Sequence, residues 1–220
     1  MSDVNPETAR ANMVESQIRT FDVLDERLLA LLRVAPRELF VPPAFRNLAY
    51  ADMNIPLAHD QVMMSPMIEA RLLQALAVQP EETALEIGTG SGWVTYLLAA
   101  MAKSVDSVEI HETLSAMARR ALHGHGVRNA NCVVGDAARG WAHGGPWNAI
   151  MVTGSLPVLP DAFRQSLAVG GRLIAIVGRA PAMEATRLRR TGNDSWAIET
   201  LFETSMPPLI NAIEPSRFVF

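Results

Sequence analysis

Hydrophobic positions in the middle of the chain alternate between short apolar runs and longer segments with helical spacing. The apolar runs predict five strands, at residues 83–87, 105–110, 131–136, 148–153 and 172–177. The segments with helical spacing predict helices between them, at 94–101, 112–123 and near 160–168. Strands that alternate with helices are typical of a parallel sheet that is covered by helices on both faces.

The region ahead of the first strand has a different pattern. Helical spacing of apolar residues predicts three helices, at 6–20, 25–35 and 66–78. Pro66 fits the first turn of the third helix, with Ser65 as its N-cap. Residues 46–64 show no clear period, so we expect an irregular loop region there.

The C-terminal part predicts a change of topology. Strand-like segments near 185–191 and 195–204 follow each other without a helix between them, which favours an antiparallel addition at one edge of the sheet. We therefore predict a single α/β domain over residues 1–220, with a doubly wound, mostly parallel sheet, N-terminal helices and an antiparallel C-terminal edge.

Composition and charge narrow the class of protein. The chain has 220 residues, of which 49% are hydrophobic and 19% charged, and this suits one substantial globular domain. A net charge of −4 argues against a broad nucleic-acid surface. No apolar run approaches the roughly 18 residues of a membrane span. Residues 1–7 lack the basic start and apolar core of a signal peptide, so we expect a cytoplasmic protein.

Cysteine and histidine usage predicts no metal site. Cys132 is the single cysteine and lies in an apolar run, so neither a disulfide nor a cluster of thiolate ligands can form within the chain. The five histidines show no metal-ligand spacing, and the pair His123 and His125 is more typical of a loop after a helix.

The segment Leu85–Gly92 carries the strongest chemical signal. It reads Leu-Glu-Ile-Gly-Thr-Gly-Ser-Gly and joins a predicted strand to a predicted helix, as in the first half of a nucleotide-binding βα unit. Its G-x-G-x-G spacing differs from the G-x-G-x-x-G of dinucleotide sites. Glu86, at the end of the strand, suits a cationic group better than a pyrophosphate. S-adenosylmethionine carries such a group on its methionine part, so we expect this ligand rather than a tight turn with no ligand.

Three acidic residues follow or end predicted strands. Glu86 ends the first strand, Glu109 the second and Asp136 the third. Glu109 lies about 20 residues after the first glycine, where such folds place a carboxylate for the ribose hydroxyls. Asp106 is the alternative on that strand, but it falls in mid-strand and is expected to face solvent. Because ligands of open parallel sheets bind outside the carboxyl ends of the strands, we expect the three acids to converge on one crevice.

These features together resemble the protein-L-isoaspartate O-methyltransferase family, along nearly the whole chain. The matching segments are Met13–Arg19, Val34–Pro42, Leu48–Asp52 with Ile55–Leu57, Leu85–Gly92, Ser107–Glu109, Gly135–Asp136, Val152–Gly154 and Gly170–Leu173. The glycine loop by itself indicates only a class I methyltransferase, and the upstream segments narrow the resemblance to this family.

The resemblance implies a Rossmann-like enzyme that transfers a methyl group from S-adenosylmethionine to the α-carboxylate of L-isoaspartyl residues in damaged proteins. Isoaspartyl proteins or peptides are then its partners, without nucleic acid, membrane or metal. It also implies that Glu86 contacts the methionine end, Glu109 the ribose and Asp136 the adenine side. The remaining cofactor-binding candidates are the loop and strand-end residues Gly88, Thr89, Gly90, Gly92, Ile110 and Ala137.

The same resemblance implies three parts within the one domain. Residues 1–80 form a helical and loop region that covers the site, residues 81–180 the cofactor-binding core, and residues 181–220 a C-terminal β extension.

The chain departs from the family pattern just ahead of the third predicted helix. The family usually has Gly-Gln-Thr-Ile-Ser-x-Pro, with its hydroxyls facing the methyl-transfer site, whereas residues 60–66 here read Asp-Gln-Val-Met-Met-Ser-Pro. Val62 and Met64 stand at the hydroxyl positions, and Ser65 supplies a hydroxyl one residue late. These three residues are the candidates for the acceptor site. As a helix cap, Ser65 would use its oxygen on a backbone N–H, so capping and catalysis remain alternatives for it.

The altered segment keeps three functions open. The first is methylation of isoaspartyl residues. The second is methyl transfer to a different, more apolar acceptor, because alkyl and thioether side chains replace hydroxyls. The third is a cofactor-binding protein with little or no turnover.

Overall fold

A seven-stranded sheet forms the centre of the molecule, whose computed structural model describes residues 5–215. The sheet consists of β3 (Thr83–Ile87), β4 (Ser104–Glu109), β5 (Ala130–Val134), β6 (Trp147–Leu156), β7 (Leu167–Arg179), β8 (Ala182–Gly192) and β9 (Ser195–Glu203). Its strand order is β5-β4-β3-β6-β7-β8-β9, with parallel pairing from β5 to β7 and antiparallel pairing from β7 to β9. The predicted sheet is confirmed, including its antiparallel edge.

Six α-helices and several shorter helical turns accompany the sheet. The α-helices are α1 (Pro6–Asn12), α2 (Glu26–Val34), α3 (Pro66–Leu76), α4 (Trp93–Met101), α5 (Glu112–Gly124) and α6 (Asp161–Gln165). The shorter pieces are a π-helix at Met13–Ile18 and 3₁₀ turns at Arg19–Phe21, Arg37–Leu39 and Pro43–Leu48. Within residues 5–215, none of these helices combines the length and the apolarity that crossing a bilayer requires.

Alternation of side chains along the strands divides the core between the two faces of the sheet. In β3, Ala84 packs into the cluster that contains helices α1 to α4, whereas Leu85 packs into the cluster that contains α6. Met151 and Ile150 of β6 divide in the same way. Glu86 therefore points to the same face as Ala84, because residues two apart in a strand share a face.

The predicted helix over 6–20 changes its geometry half-way. It begins as α1, but wider π turns start at Met13 and a 3₁₀ turn completes it. Met13 and Ile18 are both buried although they stand five residues apart, which matches the i to i+5 repeat of a π-helix. Because the apolar positions suit both repeats, the sequence pattern does not distinguish them.

The expectation of an irregular loop over residues 46–64 is wrong for its second half. Strands β1 (Ile55–Pro56) and β2 (Val62–Met63) pair as a short antiparallel hairpin. His59 and Asp60 form its turn in the left-handed region, with φ of 59° and 56°. Two-residue strands are too short for a visible period, and a turn without glycine lacks the usual hairpin signal. We call residues 55–63 the site hairpin.

Among the other differences from the predicted bounds, two concern α6 and β7. The helix predicted near 160–168 is only α6 (Asp161–Gln165), and β7 begins at Leu167, five residues earlier than predicted. Of the sequence features noted above, residues 1–4 of the N-terminal stretch lie outside the described residues, as do residues 216–220.

Arg172 of β7 joins the end of α3 to the start of β3. Its guanidinium donates to the carbonyls of Leu76 at 2.5 Å and Ala77 at 2.6 Å, which the ending helix leaves without intrahelical partners. It also donates to both carboxylate oxygens of Glu82, at 2.5 and 2.7 Å. Burial would raise the pKa of Glu82, but the hydrogen bonds from Arg172 and the Gln79 N–H, with the charge of Arg172, outweigh burial and lower it.

We predict that Arg172→Lys lowers the free energy of unfolding by about 2 kcal/mol, because an ammonium cannot replace the two-pronged contact and the two carbonyl bonds together. Urea unfolding at neutral pH measures the effect. Arg189→Lys is the control, because Arg189 stands opposite Arg172 on β8 but is exposed.

The contribution of this ion pair should depend on pH. Because the pKa of Glu82 is lowered in the folded protein, its carboxylate stabilises the fold at pH values above 4.5, the ordinary pKa of a glutamate. The difference between wild type and variant should therefore shrink as the pH falls below that value.

Candidate functional site

An open crevice of about 650 Å³ lies at the carboxyl ends of β3, β4 and β5. Six of the nine predicted cofactor residues line it: Gly88, Gly90, Glu109, Ile110, Asp136 and Ala137. A smaller cavity of about 290 Å³ adjoins the crevice, and it is lined by Glu86 and Thr89. Gly92 lines neither space and is the N-cap of α4. The structure thus brings most of the predicted residues to one edge of the sheet.

The glycine loop is constrained by backbone angle and by space. Gly88 has a φ of +97°, and a Cβ there would collide with the Thr153 hydroxyl oxygen. That hydroxyl lies 2.9 Å from the carbonyl oxygen of Ile87 and 2.6 Å from that of Gly88. Gly92 has a φ of +84°, and a Cβ there would lie 3.0 Å from the Cβ of Ala118 on α5. The backbone can therefore turn tightly and remain open towards the crevice.

Glu109 ties the loop after β3 to the loop after β4. It is buried, and its Oε2 accepts the Gly90 N–H at 2.8 Å while its Oε1 accepts the His111 N–H at 3.0 Å. Because each carboxylate oxygen has two lone pairs, Glu109 keeps acceptor capacity towards the crevice.

Asp136 has a similar role after β5. Its Oδ1 accepts the Ala138 N–H at 3.0 Å, and its Oδ2 accepts from the Asn211 side chain at 2.8 Å. Asp106, the alternative to Glu109, lines neither space, is half-buried and accepts from Asn131 at 3.2 Å.

Glu86 departs from the expected convergence of three acids on one crevice. It is fully buried beneath the glycine loop, where Oε2 accepts from the hydroxyls of Thr95 at 2.5 Å and Ser107 at 2.6 Å. Its Oε1 has no hydrogen-bond partner among the described residues. Burial raises the pKa of Glu86 to about 8. The physical reason for its position is strand alternation, which turns Glu86 towards α4 while the carboxyl end of β3 faces the crevice.

The three acceptor-site candidates lie in different surroundings. Val62 lines both spaces and Met64 lines the smaller cavity, whereas Ser65 lines neither. Ser65 stands at the N-cap of α3 as predicted, but its side chain makes no capping hydrogen bond. Its position is fixed instead by its backbone N–H, which donates to the Asn54 side chain at 3.0 Å. Of the two alternatives for this hydroxyl, capping of α3 is therefore not the one that the structure shows.

A buried ion pair behind the smaller cavity was missed by sequence reasoning. Arg37 pairs with Glu69, whose Oε2 also accepts the Trp93 indole N–H at 2.8 Å. Burial raises the pKa of Glu69 to about 7, against the opposing effect of Arg37. Glu69 lines the smaller cavity. The available signals were an arginine within the segment Val34–Pro42 and an acidic residue within the apolar face of a helix, and neither indicates a partner by itself.

Two side-chain contacts of His59 hold the site hairpin over the crevice. The rings of His59 and His111 stack with centroids 4.1 Å apart and an angle of 5° between their planes. The His59 Nε2 also lies 2.7 Å from the Thr113 hydroxyl. Because Leu57, Gln61 and Val62 of the same hairpin line the crevice, these contacts help to cover it.

Known proteins resemble this chain along most of its length. The family model described as protein-L-isoaspartate(D-aspartate) O-methyltransferase (PCMT) matches residues 8–213. The chain is 39% identical over 202 residues to protein-L-isoaspartate O-methyltransferase 1 of Rhodopseudomonas palustris (strain HaA2), covering 91% of this chain and 82% of the relative. It is 36% identical over 209 residues to protein-L-isoaspartate O-methyltransferase 2 of Pelobacter propionicus, covering 94% and 93%.

Solved structures show the same fold. A Plasmodium falciparum protein of this description, in complex with S-adenosyl-L-homocysteine, superposes with a TM-score of 0.80 at 17% identity, over 94% of this chain and 99% of the other. A second structure of a protein-L-isoaspartate O-methyltransferase gives a TM-score of 0.76 at 20% identity, over 90% and 65%. At these identities the likeness concerns the fold.

With S-adenosylhomocysteine, the ligand of the Plasmodium falciparum structure, as the probe, we predict that His59→Ala weakens binding several-fold by accelerating dissociation, because the site hairpin loses the stacking contact and the hydrogen bond that hold it. Stopped-flow fluorescence and equilibrium titration measure the rate and the affinity. His123→Ala is the control, because His123 is an exposed histidine on α5 that lines neither space. Equal dissociation rates for wild type and His59→Ala would contradict a covering role for the hairpin.

Proposed function

This chain belongs to the protein-L-isoaspartate(D-aspartate) O-methyltransferase family, and we propose that it methylates the α-carboxylate of L-isoaspartyl residues in damaged proteins, with S-adenosylmethionine as the methyl donor. A methyl ester is attacked by a nucleophile more readily than a free carboxylate, because it carries no negative charge and can release methanol. The neighbouring backbone nitrogen can therefore close a succinimide ring, whose hydrolysis returns part of the chain to normal aspartate. The observation that carries the proposal is the family match over residues 8–213 together with the glycine-lined crevice at the carboxyl ends of the strands.

The residues present fit the cofactor. The glycine loop leaves the backbone open where a Cβ at Gly88 would collide with Thr153, and the buried Glu86 Oε1 has no partner among the described residues. In the proposal, Glu109 binds the ribose hydroxyls, Asp136 the adenine side and Glu86 the methionine end. The other binding positions are Gly88, Thr89, Gly90, Gly92, Ile110 and Ala137.

The bound cofactor supplies an electrophilic methyl group, and the protein has to position the acceptor. A carboxylate with a pKa of roughly 3–4 is already ionised at neutral pH, so no general base is needed. The task of the site is then to hold the acceptor oxygen in line with the methyl group and to exclude water. The site hairpin suits this task, because it covers the crevice with Leu57 and Val62.

A second candidate function has its own supporting observation. Val62 lines both spaces and Met64 lines the smaller cavity, so the positions that carry hydroxyls elsewhere in the family present alkyl and thioether groups to the site. Such a surface favours a more apolar methyl acceptor. A cofactor-binding protein with little turnover is the third possibility, and the same assay distinguishes all three.

The proposed setting is the cytoplasm. The single cysteine, Cys132, is buried and unpaired, and burial raises the pKa of its thiol to about 11. An unpaired cysteine with no disulfide is typical of a reducing compartment. We propose isoaspartyl-containing proteins as the partners, without nucleic acid or membrane.

The proposed activity predicts methyl transfer to an isoaspartyl peptide and not to the matching aspartyl peptide, measured with a radiolabelled methyl donor.

The proposed cofactor site predicts that Glu109→Gln weakens S-adenosylhomocysteine binding about tenfold or more, because a hydrogen bond to a charged group contributes about 1.5–3 kcal/mol. Asp106→Asn is the matched control on the same strand. Methylation of small apolar acceptors in preference to the peptide would favour the second function, and binding without any transfer would favour the third.

A further prediction concerns the altered acceptor segment, residues 60–66. Restoring both family hydroxyls with Val62→Thr and Met64→Ser should raise isoaspartyl methylation about tenfold, because one hydrogen bond to the acceptor carboxylate is regained. Cofactor affinity, measured separately by titration, should change little.

Ser65→Ala tests the neighbouring hydroxyl. We expect a small effect on activity, because Ser65 lines neither space. A large loss of turnover would return this hydroxyl to the acceptor site. A folded Val62→Thr, Met64→Ser variant with no gain would show that these side chains do not limit the reaction.

A further inference from the structure

Two buried carboxylates line the smaller cavity, and one oxygen of each has no hydrogen-bond partner among the described residues. Glu69 and Glu86 both line this cavity, and both are almost completely inaccessible to solvent, at 2% and 0% exposure. Oε1 of each is buried and has no hydrogen-bond partner among the described residues. A buried acceptor without a partner is destabilising, so two of them along one cavity require a common explanation.

The protein's own buried cation, Arg37, makes no hydrogen bond to either of these two atoms. Arg37 donates from Nε to the Ala49 carbonyl at 2.7 Å, from Nη2 to the Met64 carbonyl at 2.6 Å and from Nη1 to Glu69 Oε2. Its donors therefore point to three fixed acceptors. Arg37, Glu69 and Glu86 comprise one cation and two acids, so full ionisation of these three groups leaves one positive charge missing.

The chemistry of the cavity favours a primary ammonium group. An ammonium has three N–H donors and is compact, so it can bridge two carboxylate oxygens. A hard metal ion takes six or more oxygen ligands, and the described residues contain no group of three or more His, Cys, Asp or Glu side chains able to hold a metal. The cavity also shares Leu57, Val62, Gly88, Gly90 and Thr153 with the large crevice, so one elongated ligand can occupy both.

We propose that Glu69 is a second acid, beside Glu86, that binds the α-ammonium group of the methionine half of the cofactor. This inference rests on the proposed function, since it assumes that the crevice takes S-adenosylmethionine. Arg37 is a positioning residue, because it orients Glu69 through Oε2 and leaves Oε1 for the ligand. Trp93 supports the same orientation through its indole N–H.

Proton release on cofactor binding is a consequence. Burial raises the pKa of Glu69 to about 7 and that of Glu86 to about 8, the latter also through the charges of Glu109 and Glu69. The other ionisable groups that interact with these two acids are Arg37 and Cys132 of β5, whose own pKa is raised in part by the charge of Glu86. A cation between the two acids lowers both pKa values, so at pH 7.5 protons leave the two carboxyl groups for the buffer when the ligand binds.

The test compares two ligands on several variants of the full chain by calorimetric titration. The ligands are S-adenosylhomocysteine and its analogue in which hydrogen replaces the α-amino group. In wild type, we expect removal of the amino group to weaken binding about tenfold or more. In Glu69→Gln and in Glu86→Gln this ratio should fall towards one, because the amide lacks the charge. Glu81→Gln, an exposed acid at the far end of β3, is the matched control and should keep the wild-type ratio.

Proton release gives a second readout. Titration in two buffers of different ionisation enthalpy at pH 7.5 should show proton release when wild type binds S-adenosylhomocysteine. The release should decrease in Glu86→Gln and disappear with the analogue. If Glu69→Gln does not fold, the same comparison with Glu86→Gln and with the analogue on wild type still decides the question.

The outcomes separate this inference from the proposed function. No binding of S-adenosylhomocysteine to folded wild type would overturn both. Normal binding with an unchanged ligand ratio in both acid variants would overturn the ammonium site alone and leave the methyltransferase proposal standing.

Discussion

The buried guanidinium of Arg37 holds together the segments that surround the smaller cavity. It reaches the carbonyl of Ala49 after a 3₁₀ turn, the carbonyl of Met64 at the end of the site hairpin and the carboxylate of Glu69 on α3. Removal of one partner from a buried ion pair typically costs about 3–5 kcal/mol, since the other charge remains without compensation. The cover of the site therefore depends on an arginine that touches neither space directly.

The sheet places the remaining parts of the site by simple geometry. Parallel strands β3, β4 and β5 end at the same edge, so the loops that follow them meet there. Glu109 then connects two of these loops through the N–H groups of Gly90 and His111. The same carboxylate that is proposed to bind the ribose thus also shapes the loop that approaches the cofactor. Binding and loop geometry are consequently coupled at this residue.

Family membership and local chemistry give complementary information about function. The match over residues 8–213 and the glycine loop agree on methyl transfer from S-adenosylmethionine. The acceptor side differs, because Val62 and Met64 replace hydroxyl-bearing residues while the cavity they line contains two buried acids. The carboxylate of an isoaspartyl acceptor would be repelled by the two buried acids unless cations or N–H donors lay between them. The ammonium end of the cofactor would provide this separation.

The sequence by itself determined the strands of the seven-stranded sheet, the glycine loop and the order of the acidic residues, because these depend on local periodicity and on short-range backbone requirements. It also determined that Glu109 and Asp136 stand at strand ends that share one edge. Only the tertiary structure decided that Glu86 turns beneath the loop, that residues 55–63 form a hairpin, and that Arg37 meets Glu69 across 32 positions of the chain. These features depend on which face of an element is buried and on contacts between distant segments, and neither leaves a periodic signal in the sequence.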